Sequence, residues 1–117
     1  MKKILVIEND LDILDVVGFV FENKGLEVIE SQSRVPIETI IEQNPDLVLL
    51  DYYLDEGYGK EICLAIKTNP VTKHIPVIIF SAMTGLEKAA NDSCADTFIA
   101  KPFDIDDLEK LVERFIL

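Results

Sequence analysis

Five short apolar runs punctuate the chain: ILVI at 4–7, LEVIE at 26–30, LVLL at 47–50, VIIF at 77–80 and TFIA at 97–100. Runs of four or five residues bounded by turn residues have the length of buried strands. What lies between them has helical spacing instead. In the first interval Ile13, Leu14, Val17, Val20 and Phe21 share one face, and after the last run Ile105, Leu108, Leu111, Val112 and Phe115 do the same. The order is therefore strand then helix, repeated five times. Strands joined through helices pair in parallel by right-handed crossovers, and the helices cover both faces of the sheet. The expected fold class is α/β, a five-stranded parallel sheet of doubly wound topology. Continuous apolar runs suit strands buried on both faces; only LEVIE alternates, which marks it as an edge strand.

Punctuation agrees with this order. Gly25 can stop the first helix, Pro36 suits the first turn of the second, and Asn44 with Pro45 can end it. Pro70 and Pro76 bracket the loop before the fourth strand. With 117 residues, about half of them apolar, the chain has the length of one domain over 1–117 and no linker composition within it.

Charge and cysteines narrow the function. Eleven basic against twenty-two acidic side chains give a net charge of -11, which repels phosphate backbones and anionic membranes, so direct nucleic-acid binding is not expected. The apolar run after Lys2 and Lys3 is too short for a signal peptide, and no stretch reaches membrane-span length. Cys63 and Cys94 stand far apart with no CxxC and a lone His74, a pattern of reduced thiols in a cytoplasmic protein.

In open parallel sheets, chemistry sits beyond the carboxyl ends of the strands, where strand order reverses. The first strand ends in Glu8, Asn9 and Asp10, the third in Asp51, the fourth in Ser81 and the fifth in Lys101 before Pro102. Two carboxylates about 4 Å apart repel by roughly 4 kcal/mol at an effective dielectric of about 20, so such a rim needs protons or a cation. Lys101 supplies one positive charge; a hard ion such as Mg²⁺, which takes oxygen ligands and keeps positions for phosphate oxygens, suits the remainder. Carboxylate, cation and hydroxyl together can neutralise a phosphoryl group while an aspartate attacks it.

The stretches ILVIEND, PDLVLLDYYLDEGYGKEI, IPVIIFSA and ADTFIAKPF, in that order over nearly the full length, resemble a response regulator receiver domain. The resemblance implies a flavodoxin-like (βα)5 fold and a signalling role rather than an enzyme's. It implies Asp51 as phospho-acceptor from a histidine kinase or histidine phosphotransfer protein. By the same resemblance Lys101 contacts the acceptor and phosphoryl oxygens, Ser81 hydrogen-bonds the phosphoryl group, Ala82 is its small neighbour and Phe98 holds the place of a rotating aromatic. The metal ligands it implies are Glu8, Asn9, Asp51 and the main-chain carbonyl of Tyr53, with Asp10 as a further candidate. The implied output face, toward a downstream protein, is the fourth helix, fifth strand and fifth helix, with Met83 and Phe98 presented.

Several positions depart from the family pattern. Asn9 is an amide where an acid is usual, so it is either a weakened ligand or the sign of a lost metal site. Asp55 replaces a common proline, and Tyr58 stands where an aspartate is common, while Gly59 remains. The short interval from Ser81 to Lys101 implies a short or partly unwound fourth helix. Asp10 has an alternative role as a helix N-cap, and Asp104 is expected to cap the last helix. Phe98 reads equally as switch or core, Phe103 as core, and Tyr52, Tyr53 and Tyr58 as either a shield for an acyl phosphate or cover for the third helix. Two rival readings accompany the phospho-accepting one. The first is a pseudo-receiver that binds partners without phosphorylation, supported by Asn9. The second is an aspartyl-phosphate phosphatase, which wants a second aspartate where Tyr53 stands.

Overall fold

In the computed structural model, residues 1–54, 58–82, 85–93 and 95–116 are described, with the Leu86 side chain set aside. Strands β1 (Lys3–Ile7), β2 (Glu27–Ser31), β3 (Leu47–Asp51), β4 (Val77–Ser81) and β5 (Thr97–Ala100) form one parallel sheet in the order β2-β1-β3-β4-β5. Helices α1 (Leu11–Glu22), α2 (Ile37–Gln43), α3 (Tyr58–Thr68), α4 (Leu86–Ser93) and α5 (Ile105–Ile116) alternate with them. Strand order reverses between β1 and β3. The crevice rule therefore points to the ends of those two strands.

The sheet separates two apolar layers. On one side Ile4, Val6, Leu49 and Phe80 pack against Leu14, Val17 and Phe21 of α1 and Leu108 and Val112 of α5. On the other, Leu5, Leu50 and Ile79 meet α2, α3 and α4 through Ile40, Ile62, Ile66 and Ala89. Alternate residues of each central strand feed opposite layers, which is why β1, β3 and β4 had to be apolar without interruption. Among the described residues no helix is long and apolar enough to cross a membrane.

The edge assignment needs one correction. β2 is an edge as its alternation implied, but β5 is the other edge. Burial along TFIA alternates, with Phe98 and Ala100 on the exposed side, although its four residues contain no strongly polar one. Small and threonine side chains carry no alternation signal, so TFIA could not be told from a central strand.

Local chemistry sets the ends of the helices. Asp10 is the N-cap of α1, its carboxylate accepting from the N–H groups of Asp12 at 2.9 Å and Ile13 at 3.4 Å. Pro36 is the N-cap of α2 rather than part of its first turn, and Asn44 closes that helix in the left-handed region at φ 48°. Gly25, at φ +83°, lies just past the end of α1, where Leu26 N–H returns to the Phe21 carbonyl at 3.1 Å. Asp104 accepts from Asp106 N–H at 2.8 Å and so caps α5 as expected. The fourth helix spans eight residues, the short element that the Ser81 to Lys101 interval required.

At the amino ends of the strands, two aspartates repeat one device. The Asp46 carboxylate accepts from Lys3 N–H at 2.8 Å, and that of Asp96 accepts from Val77 N–H at 2.7 Å and from the Lys67 ammonium at 2.9 Å. Each fixes the start of a strand whose far end reaches the rim. Cys63 is buried as a thiol outside any disulfide. Cys94, Met83 and Asp55 of the sequence analysis lie outside the described residues, as do Glu56 and Gly57 of the EGYG segment and Leu117.

Candidate functional site

The carboxyl ends of the strands bring three charged groups together. Glu8, fully buried, receives a hydrogen bond from the Lys101 ammonium, which also lies 3.4 Å from an Asp51 carboxylate oxygen. The other Asp51 oxygen accepts from Tyr53 N–H at 3.0 Å, so the loop after β3 turns around the carboxylate itself. Ser81 ends β4 beside them, buried, and its carbonyl accepts from Lys101 N–H at 2.9 Å. Lys101 is joined to Pro102 by a cis peptide bond. Beside this cluster opens a cavity of about 500 Å³ lined by Ile13, Val16, Val17, Ala82, Lys101 and Phe103 among others.

Burial dominates the electrostatics of Glu8. It lifts the carboxyl above its ordinary pKa, and the Asp51 carboxylate pushes the same way, against the opposing hydrogen bond from Lys101. A group that binds its proton more tightly when folded makes stability fall as pH rises from its ordinary pKa through its raised one. In the metal-free protein we expect unfolding free energy to decline over that window, and Glu8→Gln to flatten the decline. Urea unfolding in chelator between about pH 4 and 8 checks this. Equal pH slopes in the two proteins would reject the assignment.

The remaining expected residues divide. Ala82 is exposed at the cavity beside Lys101, and Asn9 is exposed directly after Glu8. Tyr53 presents an exposed ring in the loop after β3, whereas Tyr58 is buried: its hydroxyl accepts from Val35 N–H at 2.7 Å and donates to the Val35 carbonyl at 3.1 Å. Phe98 is 37% exposed on β5 and so stands outside the core, while Phe103 packs against the α1 and α5 layer. Asp10 is turned to its capping role. Among the described residues no three His, Cys, Asp or Glu side chains form a metal-holding group.

The donors at the rim nevertheless suit a hard divalent ion. Glu8 and Asp51 share one ammonium, which leaves one net negative charge, and every ligand candidate there offers oxygen. A third protein oxygen would come from the Asn9 amide or the Tyr53 carbonyl rather than from a third carboxylate.

Sequence reasoning missed three features of this region. The Lys101 ammonium stands over the Phe80 ring, 4.7 Å from its centroid. The Tyr58 hydroxyl ties α3 to the segment after β2. Gly59 packs so closely that a Cβ there would lie 2.1 Å from the Tyr52 carbonyl oxygen. Each is a contact between residues distant in sequence or packed at a junction, and only the strand ends carried a local signal.

Known proteins match this architecture. The sequence matches the response regulator receiver domain family over residues 4–113. It is 33% identical over 110 residues to the phosphate regulon transcriptional regulatory protein PhoB of Klebsiella pneumoniae, covering 87% of this chain and 46% of that protein. The chain thus spans about half the length of such relatives. It is 29% identical over 118 residues to sporulation initiation phosphotransferase F of Bacillus subtilis, covering 98% of this chain and 94% of that one. The fold also superposes on the receiver domain of a sensor histidine kinase from Pseudomonas aeruginosa PAO1, solved with magnesium in its active site cleft. There the TM-score is 0.86 at 20% identity, covering 98% of this chain and 97% of that one. The chain belongs to the response regulator receiver domain family.

Proposed function

We propose that this receiver takes a phosphoryl group onto Asp51 from a histidine kinase or histidine phosphotransfer protein in the cytoplasm and thereby changes its affinity for a downstream protein. The observation that carries the proposal is the Glu8, Asp51 and Lys101 cluster at the strand-order reversal, with Ser81 beside it. An Asp51 oxygen attacks phosphorus and forms a new O–P bond. The P–N bond to the donor imidazole breaks, its electron pair leaves with the ring, and the ring takes a proton from water. Lys101 balances charge on the acceptor and on the transferred oxygens, and Ser81 offers a hydroxyl to them.

Mg²⁺, when bound, would neutralise phosphoryl charge, held by Glu8, Asp51 and an Asn9 or Tyr53 oxygen. Because Asn9 brings no charge, that site should be weak. Asn9→Asp should tighten Mg²⁺ by about tenfold, equivalent to about 1.4 kcal/mol, in a calorimetric titration. Unchanged affinity would mean that Asp10 already fills the role or that the ion does not sit there.

Access to the rim is apolar. Val16 is 48% exposed where α1 lines the cavity, and Leu11 is 58% exposed at the start of the same helix, which supports docking of a donor protein over Asp51 from that side. On the output side, Phe98 and the acidic start of α5 support the α4, β5 and α5 face. The charge of -11 argues for protein partners over nucleic acid. Intact mass after incubation with Mg²⁺ and a small acyl-phosphate donor tests the reading: one phosphoryl adduct per chain is expected. Its absence would favour the pseudo-receiver that Asn9 suggests.

A further inference from the structure

Lys101 leaves the end of β5, yet its ammonium meets Asp51 on β3 and Glu8 beyond β1. β4 lies between β5 and β3, so the lysine stem must cross the end of β4 to reach its partners. The residue it crosses is Phe80, which is the register partner of Asp51. Phe80 is completely buried, and its ring packs edge to face with Phe103, centroids 6.0 Å apart and planes at 69°. The ammonium rests 4.7 Å from the ring centroid.

We propose that Phe80 is a positioning residue for phosphoryl transfer, its π face holding the Lys101 ammonium level with the acceptor carboxylate. This rests on the reading of Asp51 as acceptor. An aromatic face attracts a cation without using a lone pair, and the attraction grows where water is excluded. An ammonium has three N–H donors. Glu8 and Asp51 engage two directions, and the ring steadies the charge from beneath without competing for the donor that a phosphoryl oxygen needs. An aliphatic side chain would fill the same space but leave the ammonium free to swing toward Glu8. Phe103, edge to face with Phe80, keeps the ring from turning its own edge to the charge.

The test uses the full chain with Phe80 replaced by singly, doubly and triply fluorinated phenylalanine, which keep the ring's shape while draining its negative face. Phe80→Leu serves as the fully aliphatic comparison. Phosphoryl uptake is followed against the concentration of acetyl phosphate with Mg²⁺. We expect the maximal rate to fall stepwise with fluorination, by roughly 2- to 30-fold across the series, with donor half-saturation and thermal midpoint unchanged. Phe80→Leu should slow uptake at least as much as the most fluorinated ring. A rate indifferent to fluorination overturns the inference while leaving Asp51 as acceptor. The inference also fails if only Phe80→Leu slows, with a matching loss of thermal midpoint. Failure of the unsubstituted protein to take up any phosphoryl group overturns the acceptor reading, and this inference with it.

Discussion

Asp51→Asn should abolish phosphoryl uptake, by at least about a thousandfold, while leaving the protein as stable as before or more stable by up to about 1 kcal/mol. The two halves have one origin. Asp51 is almost fully buried beside the Glu8 carboxylate, and among the described residues the shared Lys101 ammonium is the cation that offsets the repulsion. Removing its charge loses an attraction to Lys101 and a repulsion from Glu8 of comparable size, and lifts the cost of burying an anion. The amide keeps an oxygen that can accept from Tyr53 N–H, so the turn after β3 survives. It lacks the anionic oxygen that attacks phosphorus. Intact mass with an acyl-phosphate donor and urea unfolding, run on the same preparations, read the two halves. An adduct that persists would place the acceptor elsewhere. A loss of several kcal/mol would mean that the carboxylate holds the fold rather than serving transfer.

Gly59→Ala should cost about 3 kcal/mol, although alanine is the better helix former by roughly 1 kcal/mol. A Cβ at this position would meet the Tyr52 carbonyl oxygen at 2.1 Å and the Tyr52 carbonyl carbon and Cα at 2.7 Å. These are backbone atoms, so nothing can rotate aside; either α3 or the turn after Asp51 must move. Gly25 is the useful contrast. A Cβ there meets nothing within 4 Å, so Gly25→Ala loses only what its φ of +83° costs alanine, about 1 kcal/mol. Urea unfolding of the two variants separates crowding from conformation, and equal losses would show that Gly59 is not held against Tyr52. The displaced turn carries Tyr53, whose N–H orients Asp51, so Gly59→Ala should also slow phosphoryl uptake.

The sheet was legible because its central strands are buried on both faces, so ILVI, LVLL and VIIF are short unbroken apolar runs whose length fits a strand rather than a helix. The rim followed from it, since Glu8, Asp51, Ser81 and Lys101 each stand at or just beyond a strand end. What stayed hidden depends on side chains crossing between elements. That Lys101 travels over Phe80 is a consequence of β4 lying between β5 and β3, and strand order is not written in either residue. Tyr58 looked like an anomaly at a position that often carries aspartate. Its hydroxyl partners lie 23 residues away at Val35, beyond the reach of any local pattern. Asp10, a candidate both for metal and for cap, does serve as the cap, because the first N–H groups of α1 sit within its reach.

The position of β5 at the margin of the sheet gives the site an unequal distribution of ruggedness. Glu8 and Asp51 are anchored on interior strands, whereas Lys101 hangs from a strand laddered to β4 alone. Marginal strands open locally at lower free energy than the interior they border. Each such opening would withdraw the Lys101 cation and leave the Glu8 and Asp51 carboxylates facing one another without it, so fraying at one edge is expected to disarm the proposed acceptor while the rest of the molecule stays folded.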